Sequence, residues 1–135
     1  MKPFIPSKAA EFTFGLVIGT FAIIHLLNFE GLEDYVPAYA IRDAKLWIFL
    51  AGLVHLFAAL CIVTGWKKTE ACYILAVMLL ILATTIHLRG LFQTKDKAME
   101  TVYIMNMMKD TAMAACAIMV GNRKRSTKVV RKKIK

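Results

Sequence analysis

Three histidines stand in this sequence, each inside a different apolar stretch: His25, His55 and His87. A further apolar stretch carries Asn106, Lys109 and Asp110. Imidazole can ligate a metal, donate or accept a hydrogen bond, and carry a proton near neutral pH. Ionisable groups embedded in apolar sequence are costly in hydrocarbon, so they turn toward a bundle interior, pair with one another and mark a functional path. The pattern admits several chemistries. His25 and His87 fall at similar depth on different helices, which makes them a candidate pair of axial haem ligands. Three imidazoles hold one metal ion only with ring nitrogens about 2 Å from it, and His55 falls too deep for that; no metal site is assigned. A quinone, or another lipid-soluble molecule with a polar head, needs only hydrogen-bond donors and acceptors, and it ranks ahead of haem. The remaining reading is a ligand-free hydrogen-bond network that fixes helix register. Catalytic residues are not assigned.

Helical spacing places these groups on inward stripes. Gly52, His55 and Ala59 share one face, as do Ala76, Leu80, Ala83, Thr84 and His87, and as do Asn106, Lys109, Asp110, Met113 and Ala117. The expected pocket therefore comprises His25, His55, Thr84, His87, Asn106, Lys109 and Asp110. Because adjacent helical residues point about 100° apart, Lys109 and Asp110 are expected to pair with groups on other helices and not with each other.

The elements that must position these residues are long and apolar. Of the 135 residues, 59% are apolar, above the roughly 45–50% of soluble domains. The excess gathers in blocks over about 9–29, 46–66, 69–88 and 101–121. The blocks are apolar nearly all the way round, so lipid is their expected solvent. At about 1.5 Å per residue, each matches a hydrocarbon core of roughly 30 Å. The first block lacks an A-x-A site and is read as an uncleaved helix, not a signal peptide. The fold expected is all-α: one antiparallel bundle of four transmembrane helices over residues 1–121, followed by a basic tail over 122–135. Tyr35 and Tyr39 suggest that the connection over 30–45 lies at the membrane surface. The short turn at Gly65-Trp66-Lys67-Lys68 makes a hairpin of the second and third helices.

Charge sets the orientation. Four crossings put both ends and the 66–70 turn on one side, with Lys2, Lys8, Lys67, Lys68 and the eight basic residues from Arg123 to Lys135. The other side holds Arg42, Lys45, Arg89, Lys95 and Lys97. The richer side is cytoplasmic by the positive-inside rule, and a bacterial cytoplasmic membrane is the expected location. On this topology His25, Thr84, Thr85, His87, Lys109 and Asp110 collect in the outer half and the cysteines in the inner half. The net charge of +9 is concentrated in the tail, which suits anionic lipid headgroups; no nucleic-acid-binding module is visible. Cys61, Cys72 and Cys116 form no C-x-x-C pair and read as small apolar filler. Gly15 and Gly19 form a G-x-x-x-G, extended by Ala22, which serves either packing within the chain or a contact in a homo-oligomer. Glu11, near the inner end of the first helix, is expected to reach water.

Several short motifs, in order, carry a resemblance to a known family. They are Gly19-Thr-Phe-Ala-Ile-Ile-His25-Leu26, Val36-Pro37-Ala38-Tyr39, Leu50-Ala51-Gly52-Leu53, His87, and Met108-Lys109-Asp110. Over about residues 10–120 the chain resembles the DoxX-like family of small four-helix membrane proteins. It departs from the family pattern at His55, where a glutamate is usual. The resemblance implies the four-span topology and a role as the membrane subunit of a redox system with soluble or membrane partner proteins, quinone-linked in some relatives. The alternative from a different class is a non-catalytic scaffold, assembly factor or small transporter.

Overall fold

A computed structural model of the chain describes residues 7–33, 36 and 43–123. The head with Pro3 and Pro6, the surface segment expected around Tyr35, Pro37, Tyr39 and Arg42, and the basic tail beyond Arg123 lie outside the described residues. Proline locks φ and removes a donor, and no proline occurs in the sequence of the described helices, whose interiors are Leu-, Ile-, Ala- and Met-rich.

The described residues are helical, with no strand among them. The elements are α1 (Ser7–Leu27), α2 (Phe29–Glu33), α3 (Ala44–Thr64), α4 (Lys68–Leu82), a π-helical turn (Ala83–Leu88), α5 (Arg89–Gln93) and α6 (Lys97–Asn122). Their bounds differ from the apolar blocks for local reasons. The second helix stops at Thr64 because Gly65 adopts φ 75° and returns its N–H to the Cys61 carbonyl at 2.8 Å. The fourth starts early because the Asp96 carboxylate caps it, accepting from the Ala98 N–H at 2.8 Å. The third runs past Leu88 to Gln93 through its π-helical turn.

Ser7–Leu27, Ala44–Thr64 and Lys68–Gln93 are each long and apolar enough to cross a membrane. Helix α6 has the length, at 26 residues, but carries Lys109 and Asp110 in its middle.

Helix α1 packs on α3, α4 on α6, and the pairs join where α3 meets α4. The shared core is built from Ile18, Ala58, Ile62, Cys72, Leu75, Leu79, Ala114 and Ala117. Small residues let the backbones approach. A Cβ at Gly15 would sit 2.9 Å from Val63, and one at Gly19 would sit 3.7 Å from Ala59. The face carrying the G-x-x-x-G is thus used within the chain, against α3. Large side chains such as Leu16, Ile23, Trp47, Leu60, Ile74 and Val77 point outward.

Glu11 fixes one end of the bundle. Its carboxylate lies 3.1 Å from Lys68 Nζ and 3.2 Å from Arg123. Glu11 belongs to the start of α1, Lys68 to the start of α4, and Arg123 follows α6. Its side chain is partly covered by this pairing and keeps 18% exposure. Thr69 Oγ1 donating to the Gly121 carbonyl at 2.9 Å, and Tyr73 Oη to Asn122 Oδ1 at 2.5 Å, tie α4 to α6 at the same end.

Candidate functional site

The site begins at a close approach of α1 and α3 around Gly52. Gly52 makes that approach feasible, because a Cβ there would lie 2.9 Å from Leu26 and 3.0 Å from the Cβ of His25. His25 thereby reaches the next turn of α3 and stacks on His55, with ring centroids 5.1 Å apart and planes 24° from parallel. His55 is 2% exposed. Each imidazole is anchored to its own helix, His55 Nδ1 to the Ala51 carbonyl at 2.7 Å and His25 Nδ1 to the Phe21 carbonyl at 2.8 Å. A carbonyl only accepts, so Nδ1 carries the hydrogen in both rings. In the neutral imidazole this leaves Nε2 a bare acceptor.

Helix α6 supplies the other half. Asp110, 3% exposed, places Oδ2 3.1 Å from His87 Nε2 and Oδ1 3.4 Å from Lys109 Nζ. Lys109 also donates to Asn106 Oδ1 at 3.2 Å and lies 4.8 Å from the centre of the Phe21 ring. The polar partners of Lys109 thus lie on its own helix, with its neighbour included against expectation, and its contact across the bundle is with the ring of Phe21 on α1. The long lysine stem bends back over the 100° between the two positions. Asp110 does reach across, to His87. Phe21 links the halves, since its ring also lies 6.1 Å from that of His55. Sequence reasoning missed Phe21; its position one helical turn before His25 was the available signal.

Of the seven expected pocket residues, Thr84 stands apart. It is exposed, and its hydroxyl donates to the Leu80 carbonyl at 2.8 Å. Leu80, expected on the same inward stripe, is 42% exposed. The buried residues here are Ala76, Leu79, Ala83 and Ile86. The inward line runs through Leu79, one position before Leu80, and the wider π-turn then resets the register. His87 stays inward while Thr84 turns out, and Thr85 takes its place beside the cleft.

The six remaining residues line one cleft of about 1120 Å³ between α3 and the α4–π-turn segment. Its walls are Trp47, Leu50 and Val54 on one side and Ile74, Val77, Met78 and Ile81 on the other. Several of these wall residues are exposed, so the cleft opens on the apolar perimeter. His25, His55, His87, Asn106, Lys109 and Asp110 gather in it with Phe21 and Met113. An apolar trough with one polar region fits an amphiphile better than an ion. No group of three His, Cys, Asp or Glu side chains suited to a metal occurs among the described residues. The haem pairing considered for His25 and His87 would have to take His87 Nε2 from Asp110 or engage its buried Nδ1. That Nδ1 has no hydrogen-bond partner.

Cys61 and Cys72 are buried in the core, as filler would be, whereas Cys116 faces outward. Compared with known proteins, the chain matches no family model, no curated protein and no solved structure. The DoxX-like resemblance rests on its motifs alone.

Proposed function

We propose that this chain crosses a bacterial cytoplasmic membrane four times and binds a lipid-soluble molecule whose polar head reaches the histidine–aspartate cluster. The observation that carries the proposal is the cleft itself, apolar along its walls, open on the lipid-facing perimeter, and ending on His25, His55, Lys109 and Asp110. The fourth crossing is supported by the outward face of α6. From Thr101 to Met119 its exposed positions are Thr101, Met105, Met108, Thr111, Ala112, Ala115, Cys116 and Met119, with no charge among them. Of the two charged groups of that stretch, Asp110 is buried, and Lys109, its side chain 37% exposed, lies in the cleft beside Asn106 and Asp110. Both termini then face the cytoplasm, with the basic tail.

A quinone-like head is the ligand class the cluster suits, and the motif resemblance adds a role as membrane subunit of a redox system acting with partner proteins. Purified protein, extracted with organic solvent and examined by absorbance, tests this. A bound quinone or related amphiphile at about one per chain is expected in wild type and is depleted in His25→Ala and Lys109→Ala. Wild type carrying neither quinone nor haem, with His25→Ala fully folded, would favour a scaffold whose polar network only holds helix register.

A further inference from the structure

Counting donors against acceptors around the cluster shows an imbalance. The donors of Lys109 and of the three imidazoles are in use. The Lys109 ammonium has three hydrogens, and Asn106 Oδ1, Asp110 Oδ1 and the face of Phe21 surround it. His25 and His55 spend their Nδ1 hydrogens on the Phe21 and Ala51 carbonyls. His87 spends its Nε2 hydrogen on Asp110, whose carboxylate can only accept. What is left over on the imidazoles is of one kind: Nε2 of His25, Nε2 of His55 and Nδ1 of His87, three bare ring nitrogens in the neutral form, while the donors left over on the cleft lining belong to other side chains, among them the Asn106 amide. None of the three has a hydrogen-bond partner among the described residues. Polar atoms enclosed by protein are almost always paired, so unfilled acceptors on a cleft wall specify what should arrive.

We infer that the cleft selects a ligand head that donates hydrogen bonds, a phenol or hydroquinone, over the same head bearing only carbonyl or ether oxygens, with Nε2 of His25 and His55 receiving its hydroxyl. The inference rests on the cleft being a ligand site, as proposed above. It adds the polarity of recognition and assigns it to two residues. At the imidazole pair a carbonyl oxygen would meet lone pairs without a hydrogen between them, and would have to turn away from His25 and His55 to the Asn106 amide or to the shared hydrogens of Lys109. A hydroxyl meets the lone pairs as a donor. Trp47 on the wall and the stacked imidazoles favour a flat head.

The test uses the full chain in lipid nanodiscs, titrated anaerobically by calorimetry with a decyl-substituted hydroquinone, its quinone and its dimethyl ether. The hydroquinone is expected to bind about tenfold more tightly than either, the worth of one well-placed hydrogen bond. In His25→Phe and His55→Phe, which keep a ring in place, that preference should fall to within about twofold. Nitrogen-15 spectra of histidine-labelled wild type give a second, substitution-free readout. Two Nδ1–H tautomers are expected, with their Nε2 signals shifting when the hydroquinone is added and not with the ether. Equal binding of the three probes, or Nε2–H tautomers at His25 and His55, overturns the inference and leaves the cleft reading standing. Binding of none of them overturns both.

Discussion

Asp110 is the residue on which the polar cluster turns. It is buried on α6, and it receives His87 from another helix and Lys109 from its own. Replacing it with alanine strands two donors in a low-dielectric interior, which costs about 1–3 kcal/mol. Thermal unfolding of Asp110→Ala in nanodiscs should show that loss as a clear drop in midpoint. Thr84→Val is the control, because the Thr84 hydroxyl only returns to the Leu80 and Ile81 carbonyls on an exposed face. It should change stability by less than about 0.5 kcal/mol in the same measurement. At this scale the sequence disclosed much. Rare ionisable groups in apolar stretches pointed inward, and His25, His55, His87, Asn106, Lys109 and Asp110 do meet. What it withheld were the pairings. Bonds from imidazole to its own carbonyl four residues back fix which nitrogen carries the hydrogen, and only ring rotation decides that they form.

Between residues and bundle stand the helices, and one of them is irregular. A π-turn holds one residue more than an α-turn, here among Ala83–Leu88. Deleting Thr84, which faces outward within it, should convert the turn to α-helix while keeping the flanking faces in place. Deleting Val77 from regular helix should rotate one side by about 100° against the other and uncouple His87 from Asp110. Retention of a folded, monodisperse peak is expected for the first deletion and its loss for the second, read by size-exclusion chromatography. The α1–α3 contact offers a matching test. Gly52→Val would drive a branched side chain against His25 and Leu26, at a cost of about 1–3 kcal/mol in unfolding free energy. Hydrophobic blocks announced the long helices but not the π-turn, because Ala83, Thr84 and Thr85 satisfy helical spacing as readily with one period as with the other. That ambiguity is why Thr84 was expected in the pocket and Thr85 was not.

Over the whole molecule, α1 and α4 begin, and α3 and α6 end, near the Glu11–Lys68–Arg123 cluster. The alternation was legible from block lengths and loop charges. The clasp was not, since nothing local to Glu11 announces partners 57 residues away and beyond. In the proposed orientation this end is cytoplasmic. In a background without the native cysteines, Ser7→Cys and Lys67→Cys should be labelled by a membrane-impermeant maleimide only from the cytoplasmic side. Lys95→Cys should be labelled only from the opposite side. Labelling of Ser7→Cys and Lys95→Cys from the same side would refute the three crossings, an odd number, that the proposed topology places between Ser7 and the 94–96 connection.

The opening of the cleft on the perimeter, between Trp47 and Leu50 of α3 and Ile74, Val77 and Ile81 of α4, changes what occupancy means. Under the proposed function, a guest arriving there has already left water, so transfer of its tail from aqueous solution contributes little at the final step. Its effective dose is a mole fraction in the bilayer, where partitioning has concentrated it. A modest intrinsic attraction at the histidines is then sufficient for high filling. A dissociation constant expressed per litre of buffer will rise in proportion to added lipid, though nothing at the protein has altered.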